Sequence, residues 1–286
     1  MIKTVFVPAS GSDTDANVFA TALAIARPTA AHLSFFHLRL PATEAAMYAP
    51  HADFCSGPAI KDALGYLQSR EDTLASDAVA RYQRFCRENE LKGPGAAAGV
   101  SVSWLEESHD VLGRLMFHAR HSDVVVLGRA RHRDFMPSGI IESLLVGCGR
   151  PVVIAPDAPA PDTIRTIVVG WKEAPQAARA LSAALPLLLE AQRVILLGIE
   201  EPGASAQEAL EDLALALVWH GISAEVLLKP NATEPVTTQL PRTAAELGAD
   251  LLVVGGFGHS QLRENLLGGV TRTLINGCSV PVFMMH

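Results

Sequence analysis

"IKTVFVP", residues 2–8, returns as "IRTIVVG" at 164–170. The echo is not isolated. "SDVVVLG" at 122–128 matches "ADLLVVG" at 249–255, and "GCGRPV" at 147–152 matches "GCSVPV" at 277–282, in the same order. A repeat on this scale decides the architecture before any motif is weighed. The copies are offset by 162, 127 and 130 residues, so the first carries about 35 more residues before its "SDVVVLG" and slightly fewer after it, differences that belong in loops. The extra material is assigned to residues 40–67, a mixture of turn residues and a short helical pattern. "APDAPAPDT", 155–163, lacks the donors and the pattern for regular structure and reads as a connector. The expected division is a first domain at 1–157, a linker at 158–163 and a second domain at 164–286.

Within the second copy, apolar runs at 164–170, 194–199, 224–228, 250–255 and 280–285 alternate with helical patterns near 174–190, 205–220, 236–248 and 269–276. The runs are continuous rather than alternating, as in strands of a parallel sheet buried on both faces. The predicted fold is therefore an α/β sandwich with a five-stranded, Rossmann-like parallel sheet, built twice. Ligands of such sheets sit beyond the carboxyl ends of the strands, where the strand order reverses.

Composition narrows the function. Net charge is −7, with 49% hydrophobic and 19% charged residues. That balance argues against a nucleic-acid or membrane surface and for a cytoplasmic globular protein. Cys55, Cys86, Cys148 and Cys278 form no CxxC pair, so they predict neither zinc site nor redox dithiol.

"GGFGHSQLRENLLGGVT", 255–271, follows the fourth strand of the second copy. Glycines let a backbone approach an anion closely, and a helix start offers free amides and a positive dipole end. Gly255, Gly256 and Gly258 would form the turn off the strand. Gly268 and Gly269 would open the next helix through Val270 and Thr271. The alternative is a plain strand end, turn and helix cap. GxxxxGK[ST] and GxGxxG are both absent.

The spacing Gly255-x2-Gly258-x9-Gly268-Gly269 resembles the phosphate motif of the universal stress protein family, and "CSVPVFMM" is similar to its closing strand. The resemblance runs through both copies and implies a tandem member, with adenine-nucleotide-hydrolase-like domains joined as an internal pseudo-dimer. "PVVIAP" (151–156) and "PVFMMH" (281–286) would then pair antiparallel. It implies an adenine nucleotide, ATP or AMP, in the second domain, with Val169, Gly170, Trp171, Lys172 and Ile199 shaping the base and ribose pocket. Gly255, Gly258, Gly268 and Gly269 would hold the phosphates and His259 and Thr271 would flank them, with Gly256, Phe257 and Val270 in the same binding segment. A sensor or switch follows, without a general base and at most with slow ATP hydrolysis. The alternatives are a scaffold working through protein partners and an ATP-hydrolysing enzyme; a homodimer is compatible with any of them.

Two departures weaken the resemblance. Ser10 and Lys172 stand where the family's nucleotide binders carry an aspartate, so both copies are read as having lost that carboxylate and Mg²⁺ loses a ligand. In the first copy Arg131 replaces the second glycine, and Glu142 in the next helix would repel a phosphate. That copy is read as mainly structural, with "GRARHR" (128–133) a solvated basic loop. Other patterns fail on inspection. "PASGSDTD" departs from a pyrophosphate loop, "GHSQL" lacks the second glycine of a nucleophile elbow, and His51, Asp53 and Cys55 have no second cluster to complete a metal site. His118 and His121 are expected at a helix surface.

Overall fold

The computed structural model describes residues 1–41, 57–95, 99–129, 139–200, 206–230, 234–256 and 269–286, with the backbone only of residues 57–60. In the first half, strands β1 (Thr4–Ala9), β2 (His32–Arg39), β3 (Ser101–Ser108), β4 (Val124–Leu127) and β5 (Val152–Ile154) alternate with four helices. These are α1 (Asp15–Ala26), α2 (Gly57–Glu88), α3 (Val111–Arg120) and α4 (Ile140–Gly147). The second half repeats the scheme with β6 (Thr166–Gly170), β7 (Arg193–Ile199), β8 (Ala224–Lys229), β9 (Leu251–Gly255) and β10 (Val282–Met285). Its helices are α5 (Pro175–Leu188), α6 (Ala206–Val218), α7 (Val236–Glu246) and α8 (Gly269–Gly277).

All ten strands lie in one sheet of order β3-β2-β1-β4-β5-β10-β9-β6-β7-β8. Pairing is parallel inside each half and antiparallel at the centre, where Val282 faces Ile154, Phe283 faces Val153 and Met284 faces Val152. The expected internal pseudo-dimer is thus present, with the last strand of each half covering the other's open edge. Alternate residues of the strands feed two cores, one per face. Val7, Val126, Val153, Phe283, Val253 and Val169 belong to one core, under α1, α2, α5 and α6. Phe6, Val125, Ile154, Val282, Leu252 and Val168 belong to the other, under α3, α4, α7 and α8. Burial on both faces explains why the strands read as unbroken apolar runs.

The short helical pattern of the insertion belongs to a longer element: residues 57–67 open a single 32-residue helix, α2. Gly57 and Pro58 look like turn residues, but proline costs nothing in a first helical turn, where its missing N–H would have no partner. Leu74, Ala75, Ala78, Tyr82 and Phe85 then recur at helical spacing, and Ala75 and Ala78 are buried. Glu71, itself buried, accepts a hydrogen bond from the Leu40 amide (3.0 Å) and ties the helix to the end of β2. The helix stops at Glu90, whose φ of 54° lets the Leu91 amide reach the Cys86 carbonyl, a Schellman closure. His51, Asp53 and Cys55 lie outside the described residues.

The repeat extends to side chains. The Asp123 carboxylate accepts from the amides of Lys3 (2.8 Å) and Thr4 (3.0 Å), and Asp250 accepts in the same way from Arg165 (2.8 Å) and Thr166 (2.9 Å). Each aspartate thereby locks the start of the first strand of its half to the fourth. Burial pushes the Asp123 carboxyl up, but hydrogen bonds from the Lys3 and Thr4 amides and the Thr4 hydroxyl outweigh it and hold the group below its ordinary value. A depressed folded-state pKa gives stability that is present above the unfolded value of about 3.9 and lost as pH falls through the folded one. Asp123→Ala should therefore cost about 1–3 kcal/mol in urea unfolding at pH 7. Its deficit against the wild type should shrink in acid, below the unfolded value; an equal deficit at both pH values would contradict the role given to the carboxylate.

Candidate functional site

In each half the strand order reverses between the first and fourth strands, so two crevices open at equivalent places: beyond β1 and β4, and beyond β6 and β9. The chain provides its own control, because the two can be compared position by position.

The first crevice is a small cavity of about 60 Å³, lined by Pro8, Ser10, Thr14, Asp15, Gly128 and Arg129 among others. Asp15, in the first turn of α1, is 1% exposed. Its carboxylate accepts from the Ser10 amide (2.9 Å), the Ser10 hydroxyl (2.8 Å) and the Gly11 amide (2.8 Å). Burial pushes this carboxyl up in spite of those bonds, which pull it down. The hydroxyls of Ser10, Ser12 and Thr14 continue the network at 2.8 and 2.7 Å. Two converging backbone amides form an anion cradle, and here the anion is a side chain of the protein. Gly11 is fixed in this loop: its φ is 79°, and a Cβ there would collide with the Leu74 carbonyl of α2.

This corrects the reading that both copies lost their carboxylate. The first half keeps one, supplied from the helix five residues beyond Ser10 rather than from the strand end. The signal was present as Ser12-x-x-Asp15, a capping-box spacing in which an acidic residue reaches back to the turn. Arg129 is also not part of a solvated basic loop. Its side chain is 9% exposed; it pairs with Asp157 (3.2 Å) and donates to the Cys278 carbonyl, fastening the first half to the end of α8. Arg131, His132 and Arg133 lie outside the described residues.

In the second crevice Ala177 occupies the place of Asp15, by the offset of 162 that relates β1 to β6. No carboxylate fills the loop from that position. Helix α4 has Glu142 in its first turn, whereas α8 carries exposed Arg272 at the equivalent position and no acidic residue in its first turn. Sequence reasoning singled out Glu142 and missed Arg272, which stands out only when the two helix starts are set in register. At these two equivalent positions the second crevice thus lacks both carboxylates and gains one guanidinium, and it faces the positive end of a nine-residue helix.

The described candidate residues fall into distinct groups. Gly255 answers to packing: a Cβ there would lie 2.6 Å from the Ala177 nitrogen and 2.8 Å from the Gln176 carbonyl carbon. Its counterpart Gly128 is similarly pressed by Val18 at 2.9 Å, so the fold itself demands this glycine in both halves. Gly256 donates its amide to the Met285 carbonyl (2.8 Å) and backs onto Leu145 of the first half. Gly269 opens α8 against Thr237, Val270 rests on the core, and Thr271 is buried. Val169 is enclosed in the core, so from this strand it is Gly170, packed on Leu240 and Val254, that borders the crevice. Lys172 is exposed in the loop before α5, and Ile199 ends β7 half-buried. Trp171 is half-buried against the core, with its indole N–H enclosed and without a hydrogen-bond partner among the described residues. Phe257, Gly258, His259 and Gly268 lie outside the described residues.

The remaining candidates are structural. His118 stacks on Phe6 at 5.6 Å and bonds Glu107 (3.2 Å), while His121 bonds the Phe117 carbonyl (2.7 Å). Among the described residues no group of three His, Cys, Asp or Glu is placed to hold a metal ion, and no helix is long and apolar enough to cross a membrane.

The sequence pattern of the Universal stress protein family matches residues 232–286. No curated protein matches the chain in sequence. In fold it is similar to a universal stress protein from Archaeoglobus fulgidus DSM 4304, with a TM-score of 0.70 at 13% identity, over 99% of this chain and 95% of that one. It is also similar to a protein of unknown function from Pseudomonas aeruginosa PAO1, with a TM-score of 0.59 at 14% identity, over 99% and 92% of the two chains.

If Asp15 is the anion of the first crevice, Asp15→Ala leaves the amides of Ser10 and Gly11 without their acceptor and should cost about 1–3 kcal/mol. Added sulfate should then raise the variant's melting temperature more than the wild type's, because an external anion can take the empty cradle. An equal rise in both proteins would show that the amides do not form an anion cradle.

Proposed function

We propose that the chain is a tandem universal stress protein, a reading supported by the sequence of residues 232–286 and by the fold of the whole chain, and that its second half binds an adenine nucleotide, ATP or AMP, beyond β6 and β9. The first half is its structural partner. The observation that carries this reading is the change of charge at two equivalent positions of the crevices: Asp15 and Glu142 in the first, Ala177 and Arg272 in the second. A crevice that holds its own carboxylate repels phosphate, and one with an arginine at a helix start attracts it. Gly269 and the amides of the first turn of α8 would face the phosphates. Trp171, Lys172 and Gly170 would border the base and ribose. The geometry suits a sensor or switch more than a catalyst, because no described side chain in this crevice is placed as a general base. Any Mg²⁺ carried in with the nucleotide would keep mostly water ligands. A cytoplasmic setting accords with the charge and composition.

A second reading, a scaffold that acts through protein partners, is favoured by one surface. Leu215, Val218 and Trp219, on and just beyond α6, are exposed, Trp219 almost completely at 92%. Exposed apolar clusters of this kind mark contact sites.

Titration calorimetry separates the two. Wild-type protein should bind one AMP or ATP per chain, and Arg272→Glu, which copies the charge of the first half onto an exposed position, should weaken binding about tenfold or more without lowering the melting temperature. No heat and no thermal shift at millimolar nucleotide would leave the scaffold reading in place.

A further inference from the structure

Helices α1 and α2 face each other across a cleft of about 310 Å³. From α1 it is bordered by Ala16, Phe19, Ala20 and Leu23, and from α2 by Arg81, Arg84, Phe85 and Glu88, each set following the i, i+3, i+4, i+7 spacing of one helix face. The alanines explain the space: two small side chains on one face leave the opposing helix nothing to interlock with. Pro161 and Asp162 of the connector close one end.

The lining has two characters. Its floor is apolar, with Phe19 and Phe85 packed edge to face at 5.5 Å. Its rim is cationic. Arg27 donates to the Asp162 carbonyl (2.8 Å), and Arg81 pairs with Asp13 (2.7 Å), a carboxylate 99% exposed and therefore screened. The Nε of Arg81 is shut off from solvent without a partner, and Arg84 makes no ion pair or hydrogen bond among the described residues. Against these three guanidinium groups stand the carboxylates of Glu88 and Asp162, and that of Asp13 on Arg81. The guanidinium of Arg84 and the unpaired Nε of Arg81 beside an apolar floor form the lining expected for an amphipathic anion.

We propose that this cleft binds a small organic anion with an apolar or aromatic body. Arg81 and Arg84 hold its acidic group as charge-assisted donors, and the body lies on Phe19, Ala20 and Phe85. The site is separate from both crevices, being on the outer side of the helix layer, and it does not depend on nucleotide binding by the second half. Because it touches the connector, its occupancy would stiffen the link between the halves.

The test uses the fluorescence of 8-anilinonaphthalene-1-sulfonate with the full chain, beside the uncharged N-phenyl-1-naphthylamine. The sulfonate should bind at one site per chain, and the uncharged analogue about tenfold more weakly or worse. Ala20→Leu, which fills the cleft from a half-exposed helix position, should abolish binding. Arg84→Gln, at an exposed position, should weaken it about threefold or more. Both variants should melt like the wild type. Equal affinity for the uncharged probe, unchanged binding in either variant, or loss of probe binding in Arg272→Glu would overturn the proposal; the last result would place the probe in the second crevice instead.

Discussion

Everything in this molecule hangs on the antiparallel pairing of β5 with β10. Each is the last strand of its half and would otherwise be an open, wholly apolar edge. Val152, Val153, Ile154, Val282, Phe283 and Met284 are all shielded from solvent by the join, each a side chain whose burial is worth about 1.5–3 kcal/mol. The seam also makes each face of the sheet one continuous core. Arg129 and Gly256, equivalent residues beyond β4 and β9, then contact the opposite half, at the Cys278 carbonyl and at Leu145. The crevices are therefore anchored to the seam they flank.

With the frame held in common, the halves were free to differ where the strands end. The first half turned its cradle inward: Asp15 satisfies the loop amides, Gly11 is wedged beneath α2, and Glu142 stands at the helix start. The second half has neither carboxylate and carries Arg272. A charge filled from within stabilises the loop and discourages a ligand. This division fits one half serving as structure and the other as receptor.

The strands were legible in the sequence, because burial on both faces writes itself as unbroken apolar runs and because the repeat supplied a second copy to check each run; the central pairing came from the family resemblance, and the strand order was not read. Less was legible where packing or reach across space decides. Gly255 reads as a phosphate glycine, yet its Cβ position is already taken by the backbone of α5. Asp15 was missed because strand-end positions were compared, while the carboxylate arrives from the next helix. Gly57 and Pro58 read as a turn although a helix start tolerates both. Arg272 carries no motif at all. Its significance lies in the contrast with Glu142.

The account turns on the two crevices having opposite fates, and photolabelling with 8-azidoadenosine triphosphate tests this most directly. The mapped label should fall on peptides of residues 164–286, around Trp171 and Lys172, and unlabelled ATP should suppress it. Labelling around Ser10 and Arg129 in the first half would contradict the account, as would an absence of ATP-sensitive label.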